Sequence, residues 1–186
     1  MTTLLVILGI GALVLIVVIA MYNRLVKLRN TVRSSWSDID VQLKKRYNLV
    51  PNLVETVKAY AKHEKSVFEN VAQARSAAMQ AGSPAEQAKS DNIFKDTLKS
   101  LFAVAEAYPE LKANSNFMQL QKQFQDLEED IESARRYYNA VVRDYNTLTE
   151  TFPSVLIASN CGFQQEEFYQ MDAPDTQRQP PRADFS

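Results

Sequence analysis

No charged side chain occurs between Met1 and Asn23, and LLVILGIGALVLIVVIAM, Leu4 to Met21, is almost wholly apolar. Nothing else in the chain restricts its fold so strongly. As a helix rising about 1.5 Å per residue, this run covers most of the ~30 Å hydrocarbon layer of a bilayer. A cleaved signal peptide is the competing reading, but it requires a basic n-region, a shorter apolar core and a small-residue cleavage site. Here no Lys or Arg precedes the run, and MYNRLVKLRN follows it without an A-x-A-like site. The sequence therefore predicts an uncleaved anchor, residues 1–23, that meets the bilayer through residues 4–22.

Cations set the expected orientation. Arg24, Lys27, Arg29 and Arg33 follow the run at once, whereas only the chain's own amino group precedes it. The positive-inside rule then places the amino terminus outside and the body in the cytosol, as a single-pass protein of the inner (cytoplasmic) membrane. Tyr22 beside Arg24 and Lys27 suits the headgroup level. The same cations also read as the solvated face of the next helix, and the two roles are compatible.

Beyond the anchor the signals are helical. Four Gly and seven Pro in 186 residues leave few places to turn, and Pro174, Pro180 and Pro181 crowd the end. From Phe117 the apolar positions step through Leu120, Phe124, Leu127, Ile131, Ala134, Tyr138, Val141, Tyr145, Leu148 and Phe152, alternating three and four. That is a sustained heptad seam, the pattern of helices packed at coiled-coil angles. Asp126, Glu128, Glu129, Asp130, Glu132, Arg135 and Arg136 between them read as a solvated face. Asn114 or Ser115 can cap its start, and the FPS at 152–154 ends it.

A shorter helix precedes it on Phe94, Leu98, Leu101, Ala105 and Tyr108, with Ser83 as N-cap, Pro84 at the first helical position and YPE as its stop. Upstream, Asn23 to Gln80 keeps apolar residues at helical spacing, with no Gly between Gly11 and Gly82.

Pro51 interrupts that stretch, in KKRYNLVPNLVETV. A mid-helix proline removes one donor and clashes with the carbonyl four residues back, at a cost of roughly 3 kcal/mol. A true exit usually carries Gly or Asn and a polar turn. Here the apolar register resumes at once, which favours a bent, nearly continuous helix hinged near Pro51 over a tight break.

The fold class expected is all-α: an N-terminal transmembrane helix, then an elongated antiparallel up-and-down helical bundle over residues 24–170. SVLIASNCGFQQEEFY, Ser154 to Tyr169, is apolar enough to pack as a closing helix or strap. A polar, proline-rich tail over 171–186 reads as disordered.

Several blocks together resemble the LemA family of bacterial membrane proteins: YNRLVKLRNTV, SWSDIDVQLKKRYNLVPNLVETVKAYAKHE, VFENVAQAR, LFAVAEAYPELKANSNFMQLQ and YNAVVRDYNTLTETFPSVLIA. They cover most of the chain from Tyr22 to about Phe168, and the tail lies outside them. The resemblance implies an N-terminal anchor and a soluble antiparallel bundle, and it brings no established enzymatic activity.

The residue inventory argues against an enzyme. His63 is the sole histidine, so HEKSV lacks the second histidine of a zinc HExxH site and the Glu-x-x-His pairs of di-iron bundles. Cys161, the sole cysteine, has no evident base and reads as a buried small apolar residue; unpaired, it fits a reducing compartment. No Gly-rich phosphate loop is present, and LEEDIE, Leu127 to Glu132, reads as a solvated face. Trp36 reads as a core or interface anchor, with a partner hot spot as the sharper alternative. No catalytic, cofactor-binding or metal-ligating residue is identified.

The net charge of −1 also lacks the basic face of a nucleic-acid binder. The functional expectation is a membrane-anchored helical scaffold or adaptor that binds protein partners of unspecified identity, or itself as a homo-oligomer. The alternative is a membrane-remodelling or anionic-lipid-associating protein that uses the basic stretch Arg24 to Arg46.

Overall fold

The structure, a computed structural model, describes residues 1–169. The proposed tail over 171–186 lies outside the described residues. Of these, 85% are helical and none is in a strand, as the all-α expectation requires. The helices are α1 (Thr2–Tyr60), α2 (Lys65–Met79), α3 (Pro84–Glu106), α4 (Pro109–Lys112), α5 (Ser115–Glu150) and α6 (Ser154–Asn160). The chain divides into two compact units. One combines Met1–Leu43 with Glu128–Phe168, and the other is built on Lys44–Leu127.

In the first unit α1 and α5 run antiparallel. Trp36 of α1 packs against Tyr138 of α5 in a tilted contact, with ring centroids 5.6 Å apart. Earlier residues of α1, Arg24 to Thr31, lie instead beside later residues of α5, Asp144 and Thr147. Leu25, Val32 and Ile39 from α1 meet a core supplied by Ile131, Tyr138, Val142 and Tyr145 from α5. Tyr138 and Tyr145, one heptad apart, are 2% and 0% exposed, so the heptad spacing does mark a buried stripe here. Two residues depart from expectation. Phe152 is 79% exposed, because α5 has already ended at Glu150 and the seam with it. Arg135, read as solvated, is buried.

In the second unit α2 descends against α1: Val50, Pro51 and Val54 share a groove with Phe68, Val71, Ala72 and Arg75. Tyr47, Leu53 and Val57 from α1, Phe68, Val71 and Ala74 from α2, and Phe94, Leu98, Leu101 and Ala105 from α3 form the core. Fully burying one such side chain contributes about 1.5–3 kcal/mol. Phe102 of α3 packs on Phe124 of α5 at 5.4 Å.

Pro51 sits inside α1 and does not break it. In a regular helix residue 51 would donate its N–H to the carbonyl of Tyr47. Proline has no N–H, so that carbonyl is released, and the Arg75 Nε–H donates to it instead at 2.7 Å. A side chain from the neighbouring helix thus replaces the missing backbone donor.

As the unbroken apolar register favoured, the helix runs on through Pro51; the break falls at Ala61–Glu64, where α1 ends and α2 begins. It uses no glycine. Glu64 N–H donates to Ala61 O at 3.2 Å, closing a turn beneath which Ala61 is fully buried. The sequence held one sign of it: after Tyr60 the next apolar helical position is Val67, seven residues on.

The predicted caps are present. Ser83 Oγ accepts from Glu86 N–H at 3.2 Å, Pro84 opens α3, and the Glu86 carboxylate accepts from Gly82 N–H at 3.0 Å. Asn114 Oδ1 accepts from Asn116 and Phe117 N–H at 2.9 and 3.1 Å, capping α5. Beyond the YPE stop, Pro109–Lys112 forms the single helical turn α4 before α5 begins.

Candidate membrane-proximal site

Every residue from Met1 to Ala20 is exposed, and this part of α1 is long and apolar enough to cross a membrane. The first cation, Arg24, follows Met21 by three residues, so on a continuous helix it stands about 4.5 Å beyond the apolar segment. Lys27 stands about 9 Å beyond. Both are exposed, and with Leu28 and Thr31 they line a cleft of about 540 Å³ whose opposite side is Asp144 and Thr147 of α5. Thr31 Oγ1 donates to the Lys27 carbonyl at 2.9 Å, so its oxygen can still accept. Asp144 is exposed and pairs with Arg143 at 3.3 Å. The cleft therefore presents two cations, two hydroxyls and one carboxylate just outside the apolar segment.

A strap closes the same unit. Gly162 takes φ 71°, a left-handed conformation that glycine adopts without penalty, and Phe163 N–H donates back to Ala158 O at 3.0 Å. This Schellman exit from α6 turns Phe163 onto α1, where its ring meets Tyr22 edge-on at 5.7 Å and the Arg29 guanidinium at 4.8 Å. The Asn146 side chain then grips the strap backbone at both groups of one residue: Nδ2–H donates to Glu166 O and Oδ1 accepts from Glu166 N–H, each at 2.9 Å. Tyr138 OH donates to Glu167 O at 2.8 Å. Burial pushes the Tyr138 phenol up to about 12, with the carboxylates of Glu166 and Glu167 acting in the same direction. Burial also raises Tyr145, reinforced by Glu166 and opposed by Arg29 and Arg33. Both phenols thus serve as neutral groups at ordinary pH. Ser154 to Tyr169 is in this way both a closing helix and a strap, the two forms the sequence allowed.

The second unit contains a group that sequence reasoning missed. Arg46 and Asp91 form an ion pair with both side chains 0% exposed, and Lys95 Nζ lies 3.9 Å from the other Asp91 oxygen. The Arg46 guanidinium also stacks over Phe94 at 5.2 Å and Tyr47 at 5.5 Å. Gln87 Nε2 donates to Tyr47 OH at 2.8 Å. Tyr47 is raised by burial, with Arg46 pulling it down and Asp91 pushing it up. A register signal existed: Arg46 falls between Leu43 and Val50, and Asp91 between Ala88 and Phe94, so opposite charges occupied two apolar stripes. Sealed from solvent, this pair reads as structural.

The other singled-out residues stay apart from both groups. His63 is exposed in the turn between α1 and α2. Cys161 is exposed, which corrects the expectation of burial; it occupies the C-cap of α6, where the chain leaves the helix. Trp36 is half-buried against Tyr138, in keeping with an anchoring role. The LEEDIE carboxylates of Glu129, Asp130 and Glu132 point to solvent. Pro51 lines a groove of about 170 Å³ flanked by Glu55 and Arg75.

Comparison with known proteins agrees with the sequence resemblance. The LemA family profile matches residues 35–185. It thus begins after the Arg24–Arg33 cluster and continues through the tail that the matching sequence blocks had left out. The chain is similar to the magnetosome protein MamQ of Magnetospirillum gryphiswaldense, 26% identical over 182 residues, which cover 83% of this chain and 67% of that protein. It is also similar to the magnetosome proteins MamQ 2 and MamQ 1 of Paramagnetospirillum magneticum. Each is 25% identical over 175 residues, covering 80% of this chain and 64% of the relative. The chain spans about two thirds of the length of these relatives.

Proposed function

The chain belongs to the LemA family, and from that premise we propose that it is a membrane-anchored helical scaffold whose body binds protein partners, or further copies of itself, at the cytosolic face of the inner membrane. The observation that carries this reading is the continuity of α1. One helix contains the exposed apolar segment and then supplies core residues to the packed body, including Leu25, Val32, Ile39, Tyr47, Leu53 and Val57. Anchor and body are one element, which suits a protein that presents a fixed surface beside a bilayer. The cations at Arg24, Lys27, Arg29 and Arg33 support the cytosolic placement.

Two experiments test it. Cys161 is the sole cysteine and is exposed, so it is a ready-made topology probe. A membrane-impermeant maleimide should label it only after the cells are permeabilised; labelling of intact cells whose outer layers have been opened would place the body outside. Crosslinking in the native membrane, with identification of adducts, should give reproducible species above the monomer. A chain that remains monomeric at every crosslinker length would refute the scaffold. A second reading, association with anionic lipid, is favoured by Arg24 and Lys27 standing exposed at headgroup depth.

A further inference from the structure

We propose that the cleft between α1 and α5 in the first unit is a binding site for the headgroup of an aminophospholipid, a phosphate ester bearing a primary ammonium. The proposal rests on the reading of Leu4 to Met21 as a membrane span. A purely basic patch would select anionic lipid by charge alone. This cleft is different, because Asp144 faces Arg24 and Lys27 across it, with Thr31 and Thr147 beside them. Positive and negative groups lining one cleft match a headgroup that itself carries both signs.

Depth agrees with chemistry. A headgroup layer is about 5–7 Å thick on each side of the hydrocarbon core. Arg24, about 4.5 Å beyond the apolar segment, stands within that layer, and Lys27, about 9 Å beyond, stands at its aqueous edge, within reach of a long side chain. In the antiparallel pairing, Thr147 stands nearer the span than Asp144 does. A phosphate held by Arg24 and Lys27 can accept further hydrogen bonds from Thr147, while the ammonium extends outward to the Asp144 carboxylate. A volume of about 540 Å³ accommodates such a headgroup and its water. Arg143 shares the Asp144 carboxylate at 3.3 Å, but both side chains are solvent-exposed, so a second cation can approach the free oxygen. A choline headgroup has no N–H to offer that oxygen, and a glycerol headgroup has no cation.

The test uses the full chain in bilayer discs holding equal amounts of phosphatidylethanolamine, phosphatidylcholine and phosphatidylglycerol. Native mass spectrometry reads which lipids leave with the protein. Ethanolamine lipid should be retained about threefold over choline lipid, the scale of one exposed charge-assisted contact. Asp144→Asn should equalise the two, Asp144→Lys should shift retention to the glycerol lipid, and Arg24→Gln with Lys27→Gln should lower all three. These side chains are exposed, so circular dichroism of each variant should match the parent.

Soluble phosphoethanolamine should displace the retained lipid at concentrations where inorganic phosphate does not. Equal displacement by inorganic phosphate would reduce the cleft to a phosphate site and overturn the proposal. So would a parent preference for glycerol lipid, or an Asp144→Asn variant with unchanged selectivity. Alkaline carbonate extraction separates this failure from that of the span itself. A chain released by carbonate loses the anchor, whereas a chain that stays but shows no selectivity loses only the headgroup site.

Discussion

The bond between Arg75 and the Tyr47 carbonyl makes a quantitative claim about how α1 tolerates a proline. Arg75→Met keeps most of the stem that packs beside Pro51 and removes the Nε–H donor at 2.7 Å from Tyr47 O. A hydrogen bond from a charged donor is worth about 1.5–3 kcal/mol, so the single variant should lose about 2 kcal/mol. Pro51→Ala restores a backbone N–H aimed at the same carbonyl and relieves the ring clash. It should gain about 2 kcal/mol, the ~3 kcal/mol propensity difference less the ~0.4–1 kcal/mol by which proline restricts the unfolded chain. In the double variant the Tyr47 carbonyl already has its backbone partner, so adding Arg75→Met should cost well under 1 kcal/mol. The cycle then closes with a coupling of about 1–2 kcal/mol. Urea unfolding of the full chain in micelles, followed at 222 nm, measures all four corners. Additivity within about 0.5 kcal/mol would show that Arg75 does not stand in for the missing donor.

Three further outcomes follow from the same geometry. Asp91→Ala strands the fully buried Arg46 guanidinium and should cost about 3–5 kcal/mol, whereas Arg46→Met with Asp91→Leu should recover most of that, both read by urea midpoints. Tyr138 has a folded pKa of about 12 against 10.0 unfolded, so the folded state holds its proton more tightly. The contribution of Tyr138 to stability should be level below pH 10 and fall by about 2–3 kcal/mol as the pH passes 12, and the part of the phenolate absorbance at 295 nm that Tyr138→Phe removes should appear only as the protein unfolds. Asn146→Ala removes both bonds to Glu166 and should cost about 1–3 kcal/mol, seen as faster amide exchange at Glu166 with α1 and α5 unchanged.

What the sequence made legible was whatever periodicity and local capping dictate. Tyr138, Tyr145 and Ile131 lay on a heptad stripe and are buried; Ser83 and Asn114 were plausible caps and do cap. Legibility ended where a distant partner decides the outcome. Pro51 could be argued to bend the helix, but Arg75, 24 residues away, is what satisfies the freed carbonyl. Arg46 and Asp91 lie 45 residues apart, and each alone looks like an error on an apolar face. Cys161 was judged by its apolar character, yet its place at a helix exit exposes it. The break at Ala61–Glu64 escaped notice because it turns on backbone bonds and a buried alanine, without the glycine or proline that usually marks a stop. The candidate cleft was half legible: Arg24 and Lys27 were read as anchoring cations, whereas Asp144 and Thr147 needed the antiparallel pairing to bring them opposite.

The contrast between the two charged groups bears on where function resides. In the second unit Arg46 and Asp91 are sealed, stacked on Tyr47 and Phe94, and flanked by Gln87 and Lys95. No solute reaches them without unfolding, and their exchange for apolar residues is expected to be close to neutral. In the first unit Arg24, Lys27 and Asp144 are exposed, contribute little to stability as surface charges, and stand beside the segment that would enter the bilayer. Substituting them should therefore leave the fold intact and change what the protein retains from its membrane. Breaking the sealed pair by removing one partner should do the reverse, lowering stability while leaving lipid selectivity unaltered in whatever fraction remains folded. If Asp91→Ala, assayed below its unfolding transition, lost lipid selectivity as Asp144→Asn does, then the division between a packing pair and a ligand-facing cluster would be wrong.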